Sequence, residues 1–189
     1  PHAPPPPHLR VAPGRPLPAT RRQLIPRLAR TVSQPLADLG FQQSRFDISL
    51  TTNDDAPRPA GFDEIEFQFG PNIGEPARPL RAIASSGEMA RVMLALKTAL
   101  AAEDEIRVLI FDEVDANVGG ETARAVGEKM RKIAEQRQVI CITHLPAVAA
   151  VATAHYVVSN HVRDGRTVSE STRLPQKERG AEVARQLGG

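Results

Sequence analysis

Residues 107–113 read Arg-Val-Leu-Ile-Phe-Asp-Glu, and this stretch decides the fold of the chain. Its four apolar residues follow one another without alternating polar side chains, which predicts a strand buried on both faces, as in a parallel α/β sheet. Asp112 and Glu113 come directly afterwards, so we expect them at the carboxyl end of the strand, where open α/β sheets bind ligands. Because buried carboxylates lose favourable hydration, two of them beside such a strand indicate a functional site.

Helices and strands alternate on both sides of this strand. Before it, we expect a helix from Ser85 to about Ala102, with a buried face formed by Met89, Val92, Met93, Leu96 and Leu100. After it, we expect a helix over Glu121–Glu135, a strand over Val139–Ile142, a short helix after Pro146 and a last helix over Glu178–Leu187. This alternation predicts an α/β fold with a largely parallel sheet flanked by helices.

Two antiparallel hairpins are expected at the periphery of the sheet. Apolar and polar residues alternate in Phe46–Leu50 and in Ile65–Phe69, which predicts two paired strands joined by a long polar loop. The second hairpin turns at Asp164-Gly165, a dipeptide typical of tight turns. Residues 70–84 are rich in proline and glycine and predict an ordered loop or lid.

The amino-terminal part of the chain is interrupted by proline. Residues 1–19 are proline-rich, which favours extended conformations without a core, and we expect a disordered extension there. Apolar residues recur at helical spacing over Thr20–Leu39, but Pro26 and Pro35 interrupt them, which predicts a kinked or two-piece helix. Gly40 is expected to end that helix.

Composition limits the classes of function. The chain has 189 residues and a formal net charge of +2, and its pI of about 9.1 permits contact with nucleic acid without predicting it. Cys141 is the only cysteine, which excludes an intrachain disulfide and fits a reducing cytosol. No apolar run reaches the length of a membrane span and no signal-peptide pattern opens the chain, so we expect a cytoplasmic protein without membrane contact.

The apolar strand followed by Asp112 and Glu113 has the form of a Walker B element. In such an element the Asp would hold Mg²⁺ through water, because this ion keeps much of its hydration shell. The Glu would polarise a water molecule for attack on the γ-phosphate of a nucleotide. The alternative is a strand end whose two acids cap the following turn.

Two further segments could contact a phosphate. Ser85-Ser86-Gly87-Glu88 has the spacing of a capping box, and the free N–H groups of a helix N-terminus can receive a phosphate. A plain helix cap is the alternative. Thr143-His144 ends a strand one helix after the Asp-Glu strand, and His144 could reach a phosphate or hold the attacking water. A structural histidine is the alternative, but the three features in this order are far more specific than any one of them.

In combination these segments resemble a family of ATPases. The first resembles the signature helix of ABC-type, SMC-like proteins, and the other two resemble a Walker B element with its D-loop and an H-loop. The matching segments are Ala84–Lys97, Ile110–Asp115 with Gly119-Gly120, and Ile142–Ala150. Three further short segments resemble the RecN family of bacterial SMC-like DNA repair ATPases. These are Thr143–Pro146, Gly74–Pro76 and Arg179–Arg185, and the resemblance covers roughly Leu36–Gly189.

The resemblance implies a role for each site residue. Asp112 would serve Mg²⁺, Glu113 would be the catalytic base, and His144 would contact the γ-phosphate. Asp115 would lie at the interface between two heads and couple their sites. ATP bound to the opposing head would meet the signature residues Ser85, Ser86, Gly87 and Glu88, so that hydrolysis would require pairing of heads.

The same resemblance implies a division of the chain, with two departures from the family pattern. Residues 41–189 would form the C-terminal lobe of an ABC/SMC-type head, and residues 20–40 would be a remnant of a coiled-coil arm helix. No G-x-x-x-x-G-K-[ST] motif occurs in the chain, so the phosphate cradle and its Lys are missing. Ser86 stands where the family signature usually has Gly, and its hydroxymethyl group would crowd or line the phosphate site.

The sequence therefore predicts the C-terminal half of a RecN-like ATPase that uses ATP and Mg²⁺ in recombinational repair of DNA double-strand breaks, at the nucleoid. Expected partners are an N-terminal Walker A lobe, a second head, and DNA in the full-length protein. Alternatives are another SMC or RecF-like ATPase, and a non-catalytic lobe that only pairs with a complete head. The isolated chain is predicted to be inactive. We assign no DNA contact, because the available charges have the character of an ordinary solvated face: Arg78, Arg81, Arg91 and Lys97.

Overall fold

The computed structural model describes residues 16–53, 61–163 and 165–188. The expected disordered extension therefore lies outside the described residues over 1–15, and its last four residues belong to the first helix. None of the helices in the described ranges is both long and apolar enough to cross a membrane.

The chain divides into two units. The first combines Pro1–Gln34 with Gln43–Ala82, and the second combines Pro35–Gln42 with Ile83–Gly189. All of the predicted site residues belong to the second unit, so the site is built within one unit.

The first helix, α1, spans Pro16–Asp38 without a break. Of the two expected alternatives, a kinked helix and a two-piece helix, the second is wrong. Pro26 and Pro35 each lack an N–H group and so each loses one helical hydrogen bond. The Val32 and Leu36 side chains on the same helix are completely buried, and burial of this apolar surface offsets the loss.

Gly40 ends α1 as predicted. Its φ of +92° lies in the left-handed region that glycine adopts without strain. The Phe41 N–H donates to the Leu36 carbonyl at 3.1 Å, and the Gly40 N–H donates to the Ala37 carbonyl at 3.2 Å. This pair of bonds is the Schellman arrangement that closes helix C-termini.

The sheet of the first unit has three antiparallel strands. They are β1 (Arg45–Thr52), β2 (Asp63–Gly70) and β3 (Arg78–Pro79), in that order. The predicted pairing of β1 with β2 is confirmed, with Ile48 opposite Phe67. Residues 54–60 of the connecting loop lie outside the described residues. The short β3 lies within the segment over 70–84 that we predicted to be a loop. A strand of two residues is too short to show an alternation of apolar and polar side chains, so the sequence did not reveal it.

The second unit contains the predicted alternation of helices and strands. Its elements are α2 (Ser86–Ala99), β4 (Val108–Phe111), α3 (Gly120–Ala134), β5 (Gln138–Cys141), α4 (Pro146–Ala149), β6 (Tyr156–Arg163), β7 (Arg166–Arg173) and α5 (Arg179–Gln186). Strands β4 and β5 form a parallel sheet, whereas β6 and β7 form an antiparallel hairpin. The α/β class with peripheral hairpins is confirmed.

Strand β4 is buried on one face only, so the prediction of two buried faces is wrong. Leu109 and Phe111 are buried, whereas Val108 is half-exposed and Ile110 is 68% exposed. On β5 and just after it, Ile140 and Ile142 are also exposed. An unbroken apolar run has two buried faces only where packed layers cover both sides, and within this unit one side is covered.

The buried face of α2 is rotated from the predicted one. Val92 and Leu96 are buried as expected, but Met93 is exposed. Leu94 and Ala95 are buried instead. From Met89 to Leu96 every residue of this helix except Arg91 is apolar. The spacing of apolar residues therefore did not show which side of the helix faces the core.

Candidate functional site

The start of α2 is capped as the sequence predicts. Ser85 has an extended N-cap backbone, and its side-chain Oγ accepts a hydrogen bond from the Glu88 N–H at 3.3 Å. Ser85 and Ser86 are exposed. The first N–H groups of a helix have no partner within the helix, so this end presents donors and positive dipole to solvent.

Gly87 is buried where α2 meets the loop that follows β4. An added Cβ atom there would lie 2.9 Å from the Ala116 Cβ, 3.2 Å from the Glu113 carbonyl oxygen and 3.3 Å from the Ala116 carbonyl oxygen. Two of these three neighbours are backbone atoms, which cannot rotate away. A glycine therefore brings the start of α2 into direct contact with the loop over residues 112–119, which we call the Asp-Glu loop.

Arg91 fastens the same helix to the same loop. Its Nη1 donates to the Ala116 carbonyl at 2.9 Å, and its guanidinium carbon lies 5.2 Å from the centre of the Phe41 ring. Burial lowers the pKa of Arg91, and the nearby Glu88 charge opposes that shift. The side chain is only 7% exposed, so the expected solvated face is wrong at this position, and Arg91 packs inside the unit.

The loop after β4 makes a tight turn. Asp112 and Glu113 are both exposed at its start, and the Ala116 N–H donates to the Glu113 carbonyl at 3.0 Å. Glu113 has φ +56° and Asn117 has φ +58°, a left-handed conformation that asparagine tolerates but that costs about 1–2 kcal/mol for a residue such as Glu113. Such strain is typical of functional loops that surrounding contacts hold in place.

Parallel pairing brings this loop beside the residues that follow β5. Phe111 lies opposite Cys141, and the Ile142 N–H donates to the Phe111 carbonyl at 3.0 Å. Both strands run in the same direction, so Asp112 and Thr143 emerge at the same edge of the sheet. Burial raises the pKa of the Cys141 thiol to about 12, and the charges of Asp115 and Asp112 add to that shift.

Asp115 is buried in this chain, with 2% exposure. Its Oδ2 accepts hydrogen bonds from the Thr143 hydroxyl and from the His144 N–H, the latter at 3.2 Å. The His144 side chain is 75% exposed, and its Nδ1 lies 3.6 Å from the same Asp115 oxygen. Asp115 therefore connects the Asp-Glu loop to the His144 segment, a contact that the sequence did not predict.

The predicted site residues thus form two linked groups within the second unit. Gly87 contacts the Asp-Glu loop, and Asp115 of that loop holds the backbone of His144. Sequence reasoning missed Thr143 and Ala116 as members of the site. The only local signal for Thr143 is a hydroxyl directly before the predicted phosphate-contacting histidine.

A cleft lies beside Asp112. It has a volume of about 270 Å³ and lies between α2 and β4. Its lining residues are Ala90, Met93, Lys97, Leu109, Ile110, Phe111 and Asp112. Lys97 is not free to act on a ligand as an unpaired charge, because its Nζ binds Asp104 at 2.7 Å.

The carboxylates suit Mg²⁺ only as part of a shared site. In the described ranges, no three His, Cys, Asp or Glu side chains are grouped closely enough to hold a metal ion alone. Mg²⁺ in nucleotide sites takes one or two carboxylates together with water and phosphate oxygens. An exposed Asp112 carboxylate at a strand end fits that mode.

Comparison of the sequence with known proteins finds relatives of this chain. The chain is 44% identical over 181 residues to the DNA repair protein RecN of Treponema pallidum (strain Nichols), a match that covers 93% of this chain. It is 39% identical over 176 residues to RecN of Deinococcus radiodurans and 36% identical over 183 residues to RecN of Bacillus subtilis (strain 168). This chain is a RecN-like sequence. The matches cover 93% and 89% of the chain, and the predicted family resemblance is confirmed.

The RecN-like chain spans about a third of the length of these relatives, at 32%, 31% and 32% of the three. No protein-family model matches it.

Solved structures show that the fold is that of SMC heads. The RecN-like chain superposes on the Smc head domain with a coiled coil and joint from Pyrococcus yayanosii with a TM-score of 0.58. That match has 22% identity and covers 84% of this chain and 28% of the other. A second match is a chain of an SMC ATPase, with a TM-score of 0.53, 20% identity, and coverage of 91% and 98%.

Proposed function

We propose that this chain supplies the signature, Walker B, D-loop and H-loop elements of an ATPase head that acts in recombinational repair of DNA double-strand breaks. One observation carries the proposal: the three segments form a single connected structure. Gly87 fits against the Asp-Glu loop, and Asp115 of that loop holds the backbone of His144. The relatives at 36–44% identity are DNA repair proteins.

In this proposal Asp112 and Glu113 divide the chemistry at the carboxyl end of β4. Asp112 would hold Mg²⁺ through water, and a bound ion would neutralise phosphate charge. Glu113 would accept a proton from the attacking water as general base. Both carboxylates are exposed, so a nucleotide and water can approach them.

His144 and the start of α2 would meet phosphates from different nucleotides. The largely exposed His144 ring would contact the γ-phosphate beside Glu113. Exposed Ser85 and Ser86, with the Gly87 N–H, would donate to the γ-phosphate of ATP on a second head. The SMC ATPase with the same fold is described as dimerising when driven by ATP, which supports such pairing.

The Walker A motif would come from another lobe. The chain contains no G-x-x-x-x-G-K-[ST], and one face of its parallel sheet carries exposed apolar side chains. These are Val108, Ile110, Ile140 and Ile142. Exposed apolar patches of this kind mark interaction sites, and we assign this one to the lobe that carries Walker A. DNA would be a partner of the complete protein.

Nucleotide-dependent pairing tests the proposal. The Glu113→Gln chain is mixed with the Walker A lobe of a RecN protein, and its mass is measured by light scattering with and without Mg·ATP. We expect a doubling of mass with ATP, because ATP that is not hydrolysed holds two heads together. Ser85→Arg in the same background should abolish the doubling. An unchanged mass with bound ATP would contradict pairing and favour a lobe that only associates with its partner lobe.

A further inference from the structure

We propose that Asp115 and Thr143 form a positioning pair that fixes the backbone of His144 against the Asp-Glu loop. The catalytic consequence of this pair rests on the proposed function, whereas its structural part does not. Neither residue would touch a nucleotide. Their effect on the reaction would pass through the placement of His144.

Two donors converge on one buried oxygen. The Thr143 hydroxyl and the His144 N–H both donate to the Asp115 Oδ2, and the Asp115 residue is 2% exposed. Hydrogen bonds to a carboxylate are about twice as strong as neutral ones. A buried carboxylate that lost these donors would remain desolvated without compensation, so the pair resists opening.

The Thr143 hydroxyl also receives a hydrogen bond. The Leu145 N–H donates to the Thr143 Oγ1 at 3.0 Å, so this one oxygen links the carboxylate to the residue beyond His144. Leu145 is the N-cap of α4, and Pro146 follows at the first helical position. His144 is therefore held at its own N–H and by the residues on both sides, while its ring stays in solvent.

The position of Asp115 is also restrained through its neighbour in the chain. The next residue, Ala116, accepts a hydrogen bond from Arg91 at 2.9 Å and contacts the position where Gly87 would carry a side chain. A displacement of the start of α2 would therefore move Ala116 and Asp115. Through the shared oxygen, it would also move the His144 backbone.

Two substitutions at Thr143 separate hydroxyl chemistry from shape. Thr143→Val keeps the branched shape but removes both the donor and the acceptor, whereas Thr143→Ser keeps both. At Asp115, an Asn can still accept both bonds on one oxygen but has no charge. If the hydroxyl network positions His144, Ser should behave as wild type, Asn should be intermediate, and Val should be most affected.

The direct test is amide hydrogen exchange, measured by NMR on the 189-residue chain. In Thr143→Val we expect the His144 and Leu145 amides to exchange at least about tenfold faster. The Leu145 N–H loses its acceptor, and the His144 N–H loses the second donor that holds the Asp115 carboxylate in place. In Thr143→Ser they should stay within about threefold of wild type. Amides of α2 serve as the control for an intact fold. Unchanged protection of His144 and Leu145 in Thr143→Val would overturn the proposal.

A second test uses the chain assembled with a Walker A lobe. Thr143→Val should lower kcat about tenfold or more with KM nearly unchanged, because placement of His144 and not ATP capture is disturbed. Thr143→Ser should restore kcat. An unchanged kcat in Thr143→Val would overturn the positioning role. If the wild-type assembly does not hydrolyse ATP while the exchange pattern appears as expected, the proposed function fails and the structural pair stands.

Discussion

Gly87 offers a test of how closely α2 packs on the Asp-Glu loop. Gly87→Ala adds one methyl group at 2.9 Å from the Ala116 Cβ and 3.2 Å from the Glu113 carbonyl oxygen. Carbon atoms in contact normally lie about 3.5–4.0 Å apart, so the helix and the loop must separate by roughly 0.6 Å or more.

The expected loss of stability follows from that separation. Overpacking a tight contact costs about 1–3 kcal/mol, and replacing glycine by alanine within a helix returns up to about 1 kcal/mol. The two effects leave a net loss between about 0 and 3 kcal/mol, and we expect Gly87→Ala to lower the free energy of unfolding by about 1–2 kcal/mol, near the middle of that range. Urea denaturation followed by circular dichroism measures this value.

Gly180 provides a matched control. It is the second residue of α5, as Gly87 is the second residue of α2, but an added Cβ at Gly180 meets no atom within 4 Å. Gly180→Ala should leave the free energy of unfolding unchanged or raise it by up to about 1 kcal/mol. Equal effects of the two substitutions would refute the packing argument.

A double substitution locates the clash. Removing the Ala116 methyl group eliminates the shortest of the three contacts. Gly87→Ala should therefore be less destabilising in an Ala116→Gly background than in the wild-type chain. An equal penalty in both backgrounds would show that the two methyl groups do not meet.

Three other predictions concern individual side chains of the second unit. The pKa of Asp104 is lowered, chiefly by the hydrogen bond from Lys97. The charged Asp104 carboxylate therefore stabilises the fold above about pH 4, and this contribution is lost as the pH falls below that value. By urea unfolding, Asp104→Asn should be less stable than wild type at pH 7, with a smaller difference at pH 3. The Cys141 thiol, with a pKa raised to about 12, should react with iodoacetamide at pH 8 at least about 100-fold more slowly in the folded chain than in urea, and equal rates would contradict the raised pKa of this half-buried thiol. Ile110→Ser should change the stability of the chain by less than about 0.5 kcal/mol, because the side chain is exposed, but should weaken binding to the Walker A lobe about tenfold or more by calorimetry.

Local signals in the sequence predicted most of the elements that build the site. The Ser85 cap, the apolar run before Asp112 and the glycine that ends α1 each act over a few residues, so their effects could be read from spacing alone. The antiparallel pairing of β1 with β2 was equally predictable, because alternation fixes which side chains share a face.

Tertiary contacts explain what the sequence did not reveal. Thr143 and Asp115 lie 28 residues apart, and Arg91 and Ala116 lie 25 apart, so neither contact leaves a local signature. The apolar run of β4 indicated two buried faces, because side-chain type does not show which layers of a sheet are present in one chain. One side of β4 is not covered by another layer of this unit, and Ile110 is exposed on that side.

We propose that Glu113 becomes a catalytic base when the chain meets a Walker A lobe. The most direct measurement is the initial rate of phosphate release from Mg·ATP by the chain, by the lobe and by their mixture. We expect no release above background from either component, measurable release from the mixture, and its loss in the mixture with Glu113→Gln. Phosphate release by the chain alone that Glu113→Gln abolishes, or release by the mixture that survives Glu113→Gln, would contradict the role of Glu113 as the base.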